Sequence, residues 1–330
     1  MKKLKALLLV SVLSTASVFS VDIGGLKDTV GEFSSSMAGV LPFTSTVGLN
    51  WSDAYIGNFP HFGVGLSGGF TSMNVRSFDT LLEQFGVSMP EWLSLSTGAL
   101  IPAYALEARL GGFILPFDIG VKFGYIPKEI KDFLGEGLRF DYLMVGADIR
   151  YAVIRENLIL PNVSVGLGYN YLRGGIGTTL PVNQNFFIGT EKIAVSNPDL
   201  DLMWETSGID VNAQISKSLL IFTPYLGLGA TYSQSSAGYE ISAKLADADK
   251  DRLEDIGVEV AGDGFSFKKK SDGWGYRAFG GLSFNLAFIR FDLTAMYSFG
   301  GDAKKIGNMF NGTTDFEGNW GLSFGIRFQL

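Results

Sequence analysis

Phe117-Asp-Ile-Gly-Val-Lys-Phe-Gly-Tyr125 has a large apolar residue at every odd position and Asp118, Gly120, Lys122 or Gly124 at every even one. Successive side chains of a β-strand point to opposite faces. The stretch therefore has one greasy face and one face of glycine and isolated charge. Trp320-Gly-Leu-Ser-Phe-Gly-Ile-Arg-Phe-Gln-Leu330 repeats the arrangement in the opposite parity, with Gly321, Ser323, Gly325, Arg327 and Gln329 on the polar side. A soluble β-sandwich also alternates, but its polar face meets water and is rich in Lys, Glu and Thr. A polar face of glycine and serine with sparse charge suits a narrow, crowded interior instead.

The same period of two runs through Phe62–Thr71, Tyr104–Phe113, Leu143–Val153, Val163–Tyr171, Ile209–Ser216, Leu226–Ser233, Tyr276–Leu286 and Ile289–Phe299. Together these give ten segments, mostly of the roughly 9–12 residues that a tilted strand needs to cross a bilayer. Short connections at Ile114–Pro116, Arg155–Pro161, Lys217–Thr223 and Ala287–Phe288 alternate with long ones at 74–102, 126–139, 174–205, 235–273 and 300–318. Tight turns on one side and long loops on the other are the pattern of a membrane barrel with periplasmic turns and extracellular loops.

Composition agrees. Charged residues make up 18% of the 330, against about 25% in soluble domains, while hydrophobic residues reach 46%, aromatics 13% and glycine 43 residues. Past residue 20 no run approaches the roughly 18 apolar residues of a spanning helix. The remaining way to span is a closed barrel, in which every backbone group pairs with a neighbouring strand. The expected fold is therefore all-β, a single transmembrane antiparallel up-and-down barrel of ten strands, with twelve as the alternative. The alternative arises because Val47, Leu49 and Trp51 alternate with Gly48, Asn50 and Ser52 like a short eleventh strand, and single-chain bacterial barrels have even counts. Ile23–Met37 is a poor strand candidate, so residues 21–60 are expected to form a hatch in the lumen or a periplasmic segment, with 61–330 as the barrel.

At the N-terminus, Lys2, Lys3 and Lys5 precede the apolar run Ala6–Leu13, with Val18 and Ser20 at −3 and −1 of a cleavage site. Residues 1–20 thus read as a signal peptide. Its removal leaves 23 basic residues against 33 acidic, a net charge of −10. That disfavours nucleic acid as a partner, because phosphate neutralisation needs basic patches. With no cysteine there is no disulfide framework.

The signal peptide, the glycine-rich alternating strands and the final Phe324-Gly-Ile-Arg-Phe-Gln-Leu330 resemble bacterial outer-membrane β-barrel proteins over residues 62–330. The chain ends in Leu330 where that class commonly has Phe, although Phe328 keeps the register. The resemblance implies an outer-membrane location, with outer-membrane lipid and the barrel assembly machinery as partners. A hatch is distantly similar to the long-chain fatty-acid transporters, and the strand count to the small eight-to-ten-stranded barrels.

By strand parity the inner face carries Glu107, Arg109, Asp118, Lys122, Asp148, Arg150, Asp210, Arg277, Arg290, Asp292 and Arg327. The hairpin 104–125 is expected to set Glu107 beside Lys122 and Arg109 beside Asp118. These residues form either a pore constriction of opposed charge or salt bridges filling a narrow barrel. The one histidine, His61, follows Pro60 at the start of the first strand, and no nucleophile elbow accompanies it, so no enzyme, cofactor or metal site is expected. Asp247-Ala-Asp-Lys-Asp251 lacks the later glycine and glutamate of a calcium loop and reads as a short acidic helix. Phe78–Phe85 and Pro90–Leu93 have helical spacing suited to a cap. Lys268-Lys-Lys270 before Trp274 and Tyr276 reads as a headgroup anchor. The expected function is a narrow channel or diffusion-type transporter for small, even hydrophobic, solutes; the alternative is a structural or surface-interaction barrel with a closed lumen.

Overall fold

The computed structural model describes residues 20–48, 54–57, 61–73, 94–95, 98–112, 116–126, 138–179, 184–188, 191–195, 199–242, 251, 259–261, 264–301 and 318–329. Ten strands form the wall: β1 His61–Met73, β2 Gly98–Gly111, β3 Phe117–Tyr125, β4 Leu138–Ile154, β5 Asn162–Thr179, β6 Asp199–Ser216, β7 Phe222–Ser242, β8 Gly264–Leu286, β9 Ile289–Gly300 and β10 Asn319–Gln329. Each pairs antiparallel with its neighbours in sequence, and β10 pairs with β1 to close the ring. Closure leaves no sheet edge in the spanning region, which is what a solvent without hydrogen-bonding capacity demands. The wall has ten strands and not twelve.

Leu106, Leu226, Leu293 and Phe324 are among many large apolar side chains that stand exposed on the outer face. A soluble monomer does not leave such an extensive surface bare; here it is a transmembrane belt. Aromatic pairs bound it. Tyr232–Trp274 and Phe70–Trp320 lie toward the long connections, at centroid separations of 5.5 and 5.8 Å. Phe222–Phe284 and Phe288–Phe328 lie toward the short ones, at 5.4 and 6.4 Å. Such girdles mark the two interfaces of membrane barrels.

Several strands run further than the sequence pattern indicates. The long connections at 174–205 and 235–273 are partly wall, since β5 continues to Thr179, β6 begins at Asp199, β7 continues to Ser242 and β8 begins at Gly264. The alternation used to find strands fades above the belt, where lipid no longer requires an apolar row. Lys268–Lys270 therefore lie in β8, not in a loop, and Lys269 Nζ donates to Ser35 Oγ at 2.7 Å. Phe78–Phe85, Pro90–Leu93 and Asp247–Lys250 fall outside the described residues, as do residues 1–19.

The main departure lies at the N-terminus. A short strand, Ser20–Asp22, pairs in parallel with Gln184–Ile188, in the connection between β5 and β6. Helix α1, Ile23–Ser45, follows. Its Met37, Val40, Leu41 and Phe43 are buried against inward side chains of the wall, including Tyr142, Met144, Leu172, Tyr225, Tyr239 and Phe279. Helical geometry has a physical cause here. Every ladder of the closed wall is already paired, so a segment in the lumen must satisfy its backbone from within. Val47 belongs to the turn that ends this helix and is fully buried, so the strand read from its alternation with Leu49 and Trp51 is not formed at Val47; residues 49–53 lie outside the described residues. The chain then reaches the end with short connections, where the Ala54 amide donates to Ser216 Oγ at 2.9 Å and His61 opens β1.

Candidate functional site: the filled lumen

Register places the inward residues of neighbouring strands in rows, and within each row large side chains tend to alternate with glycine. One row runs Arg109, Gly120, Asp148, Gly168, Asp210, with one residue from each of β2 to β6. The next runs Asp118, Arg150, Gly166, Asn212, Gly229, Arg277, from β3 to β8. A third runs Gly65, Glu107, Lys122, Gly146, Asn170, Gly208, from β1 to β6. A ten-stranded lumen is only slightly wider than one that side chains fill completely. Long side chains therefore lie flat across the glycine beside them. A Cβ on Gly120 would run into Asp148 Oδ1 and come within 2.7 Å of Arg109 Nη2, and one on Gly229 would come within 2.6 Å of Arg277 Cζ.

This packing lets charges reach across strands. Arg109 donates to Asp118 at 2.6 Å and to both oxygens of Asp148 at 2.8 Å. Asp118, with no exposed surface, also takes a two-pronged contact from Arg150 at 3.0 and 2.5 Å. On the other side of the lumen Arg277 grips Asp210 through both guanidinium nitrogens, the Nη2 contact being 2.9 Å, and Thr231 donates to the same carboxylate at 2.7 Å. Arg327 pairs with Asp292 at 3.0 Å, and Arg290 is the register partner of Arg327. Buried ions are stable only when paired and hydrogen-bonded, and these carboxylates each receive at least one guanidinium.

Lys122 is different. It stands opposite Glu107 in the β2–β3 ladder, yet its ammonium donates to the backbone carbonyls of Ser45 at 2.6 Å and Val47 at 2.8 Å. Those carbonyls lie at the C-terminus of α1, where helix acceptors lack intrahelical partners and the macrodipole is negative. A wall cation thus caps the helix that occupies the lumen. Gly48 follows with φ +82°, a left-handed conformation open to glycine, and a Cβ there would lie 2.9 Å from Glu107 Oε1. Thr44 Oγ1 and Thr71 Oγ1 share a 2.5 Å hydrogen bond higher in the lumen.

The charged residues read from strand parity lie on the inner face, where these contacts and the register pairs Glu107–Lys122 and Arg290–Arg327 bring them together. Sequence reasoning missed the acceptors on α1, because a main-chain carbonyl carries no residue-type signal. His61 is buried beside Tyr55, with ring centroids 5.7 Å apart, and helps close the end with short connections. Among the described residues a cleft of about 210 Å³ lies between Gly39, Pro42 and Phe43 of α1 and the walls β7, β8 and β9. A second space, of about 30 Å³, lies beneath Gly48 beside Glu107 and Asp292.

No curated protein matches the chain. Among solved structures it is similar to the outer membrane protease OmpT from Escherichia coli, at 9% identity over 82% of this chain and 97% of that one, with a TM-score of 0.42. It is also similar to the translocator domain of the autotransporter NalP from Neisseria meningitidis, at 10% identity over 96% and 100% of the two chains and a TM-score of 0.35. A major outer membrane protein from Thermus thermophilus matches at 13% identity over 82% and 98%, with a TM-score of 0.27. A family model described as a family of unknown function, DUF6588, matches residues 67–303, and the chain belongs to that family.

Proposed function

We propose that this protein is an outer-membrane barrel that its own N-terminal helix keeps shut, and that its work is done by the polar surface it raises above the membrane. The observation that carries the proposal is Lys122, a buried wall cation bonded to two carbonyls at the end of α1. With the apolar packing of Met37, Val40, Leu41 and Phe43, it makes α1 a resident part of the interior. The strands β4 to β8 rise past the upper aromatic pairs. From Tyr232, β7 continues ten residues to Ser242, about 25 Å at the usual rise and tilt. This raised wall carries exposed charge, with Arg139 bonded to Asp199 at 2.8 Å and Asp201 at 3.0 Å, and Arg173 facing Asp141 at 3.6 Å. A charged, structured rim is suited to contact with partners outside the cell.

The second reading, a gated channel for small solutes, is favoured by the cleft of about 210 Å³ that follows α1 along β7 and β8. Planar-bilayer conductance separates the two. The chain beginning at Val21 should stay silent across many insertions, and the same chain lacking residues 23–46 should open discrete conductances. Openings from the intact chain would replace the shut barrel with the gated one.

A further inference from the structure

The short connections that close β4–β5 and β6–β7 carry tips unlike those of a turn facing water. Leu158 is 100% exposed, Ile159 89% and Leu220 101%, and Leu160, Leu219 and Ile221 are each about half exposed. Leu220 also adopts φ +56°, a left-handed conformation that a bulky side chain avoids and that glycine or asparagine would take readily. A leucine held in that conformation with all its surface bare is unfavourable in water on both counts.

Several backbone groups of the two turns are bonded within them. The amides of Ile159 and Leu160 donate to Asn157 Oδ1 at 2.9 and 2.8 Å, and the Asn157 amide donates to the Leu160 carbonyl at 3.1 Å. Lys217 Nζ bridges the turns by donating to the carbonyls of Asn157 and, at 3.1 Å, Leu160. The Ser218 amide and hydroxyl donate to Glu156, and the Leu219 amide donates to the Phe222 carbonyl at 2.7 Å. Backbone and side-chain groups bonded to one another beneath apolar tips suit an environment poor in water.

Depth agrees. From Tyr232 to Phe222 the outer row of β7 covers ten residues, about 25 Å along the membrane normal, which fills the apolar band. Phe222 and Phe284 meet at its lower edge, their rings tilted by 48°, and the tips 219–221 begin one residue beyond. We propose that the turns 155–161 and 217–221 are seated in the inner-leaflet lipid, at the boundary between acyl chains and headgroups. The patch is continuous with the lipid belt above it, and interfacial elements bury their apolar faces about 5–10 Å deep at that boundary. The barrel then rests low in the membrane, with its charged rim on the opposite side.

The chain contains no cysteine, so single labels are direct. Leu158→Cys and Leu220→Cys, each carrying an environment-sensitive fluorophore, are inserted into phosphatidylethanolamine–phosphatidylglycerol vesicles with or without brominated acyl chains. Leu226→Cys in the belt and Ser242→Cys on the rim serve as lipid and water references. Both turn labels should emit to the blue of the rim label, lose at least half the intensity that Leu226→Cys loses to bromine, and resist aqueous iodide. Iodide quenching equal to that of Ser242→Cys, with no effect of bromine, would overturn the proposal and leave the tips as a surface for a periplasmic protein. Ile159→Cys repeats the measurement should Leu158→Cys fail to fold.

Discussion

At Arg109, Asp118, Asp148 and Arg150, on β2, β3 and β4, the lumen is filled by the wall itself. These side chains meet one another across strands. Around Met37–Phe43 the lumen is filled by a separate element, held through apolar packing, hydroxyl contacts and the cations Lys122 and Lys269. Both regions occupy the interior, but they are bound to the barrel differently. The first is made of side chains of the wall strands themselves. The second is fastened at identifiable points, among them the buried cation Lys122.

The largest expected effect tests the wall network. Asp118→Ala leaves two buried guanidinium groups without their shared acceptor and should destabilise the barrel by about 3–5 kcal/mol, read as a lower urea midpoint of the vesicle-folded protein. If the loss is below 1 kcal/mol, the network fills space without supporting the wall. Lys122→Met comes next. It strands two carbonyls at about 1–3 kcal/mol and should release protection from hydrogen exchange at the end of α1 while leaving β2–β4 protected. Equal loss in both regions would show that helix and wall form one cooperative unit, and the comparison would fail.

Gly120→Ala sharpens the account of the rows. The new methyl collides with the Arg109–Asp148 contact and should cost about 1–3 kcal/mol, with Arg109→Ala in the same chain recovering part of that loss. Gly31→Ala is the smallest change. No atom lies within 4 Å of the added Cβ, so the helix should gain about 0.5–1 kcal/mol, visible as slower exchange in α1 alone.

Much of the molecule was legible beforehand because its signal is local. Alternation depends on one residue and its neighbour, so Phe117–Tyr125 and Trp320–Leu330 disclose their two faces without reference to the rest of the chain. The pairings Glu107 with Lys122 and Arg109 with Asp118 were legible too, since a tight hairpin fixes register over a few residues. Strand ends above the belt were not, because water imposes no alternation there. Nor was the cross-strand reach of Arg277 to Asp210, which depends on Gly229 being small on the strand between them.

The sequence by itself determined a closed antiparallel wall with an apolar exterior and a glycine-and-charge interior, because lipid outside and confinement inside act on every strand alike. The structure decided for ten strands over twelve. Only the tertiary structure decided that Ile23–Ser45 is a helix, that it lies in the lumen, and that Lys122 is bonded to its end. The reason is physical. A segment of glycine and serine has little preference of its own, and it becomes helical where a completed wall offers no ladder to join. The oxygens that Lys122 holds belong to the main chain, which every residue possesses and no sequence pattern distinguishes.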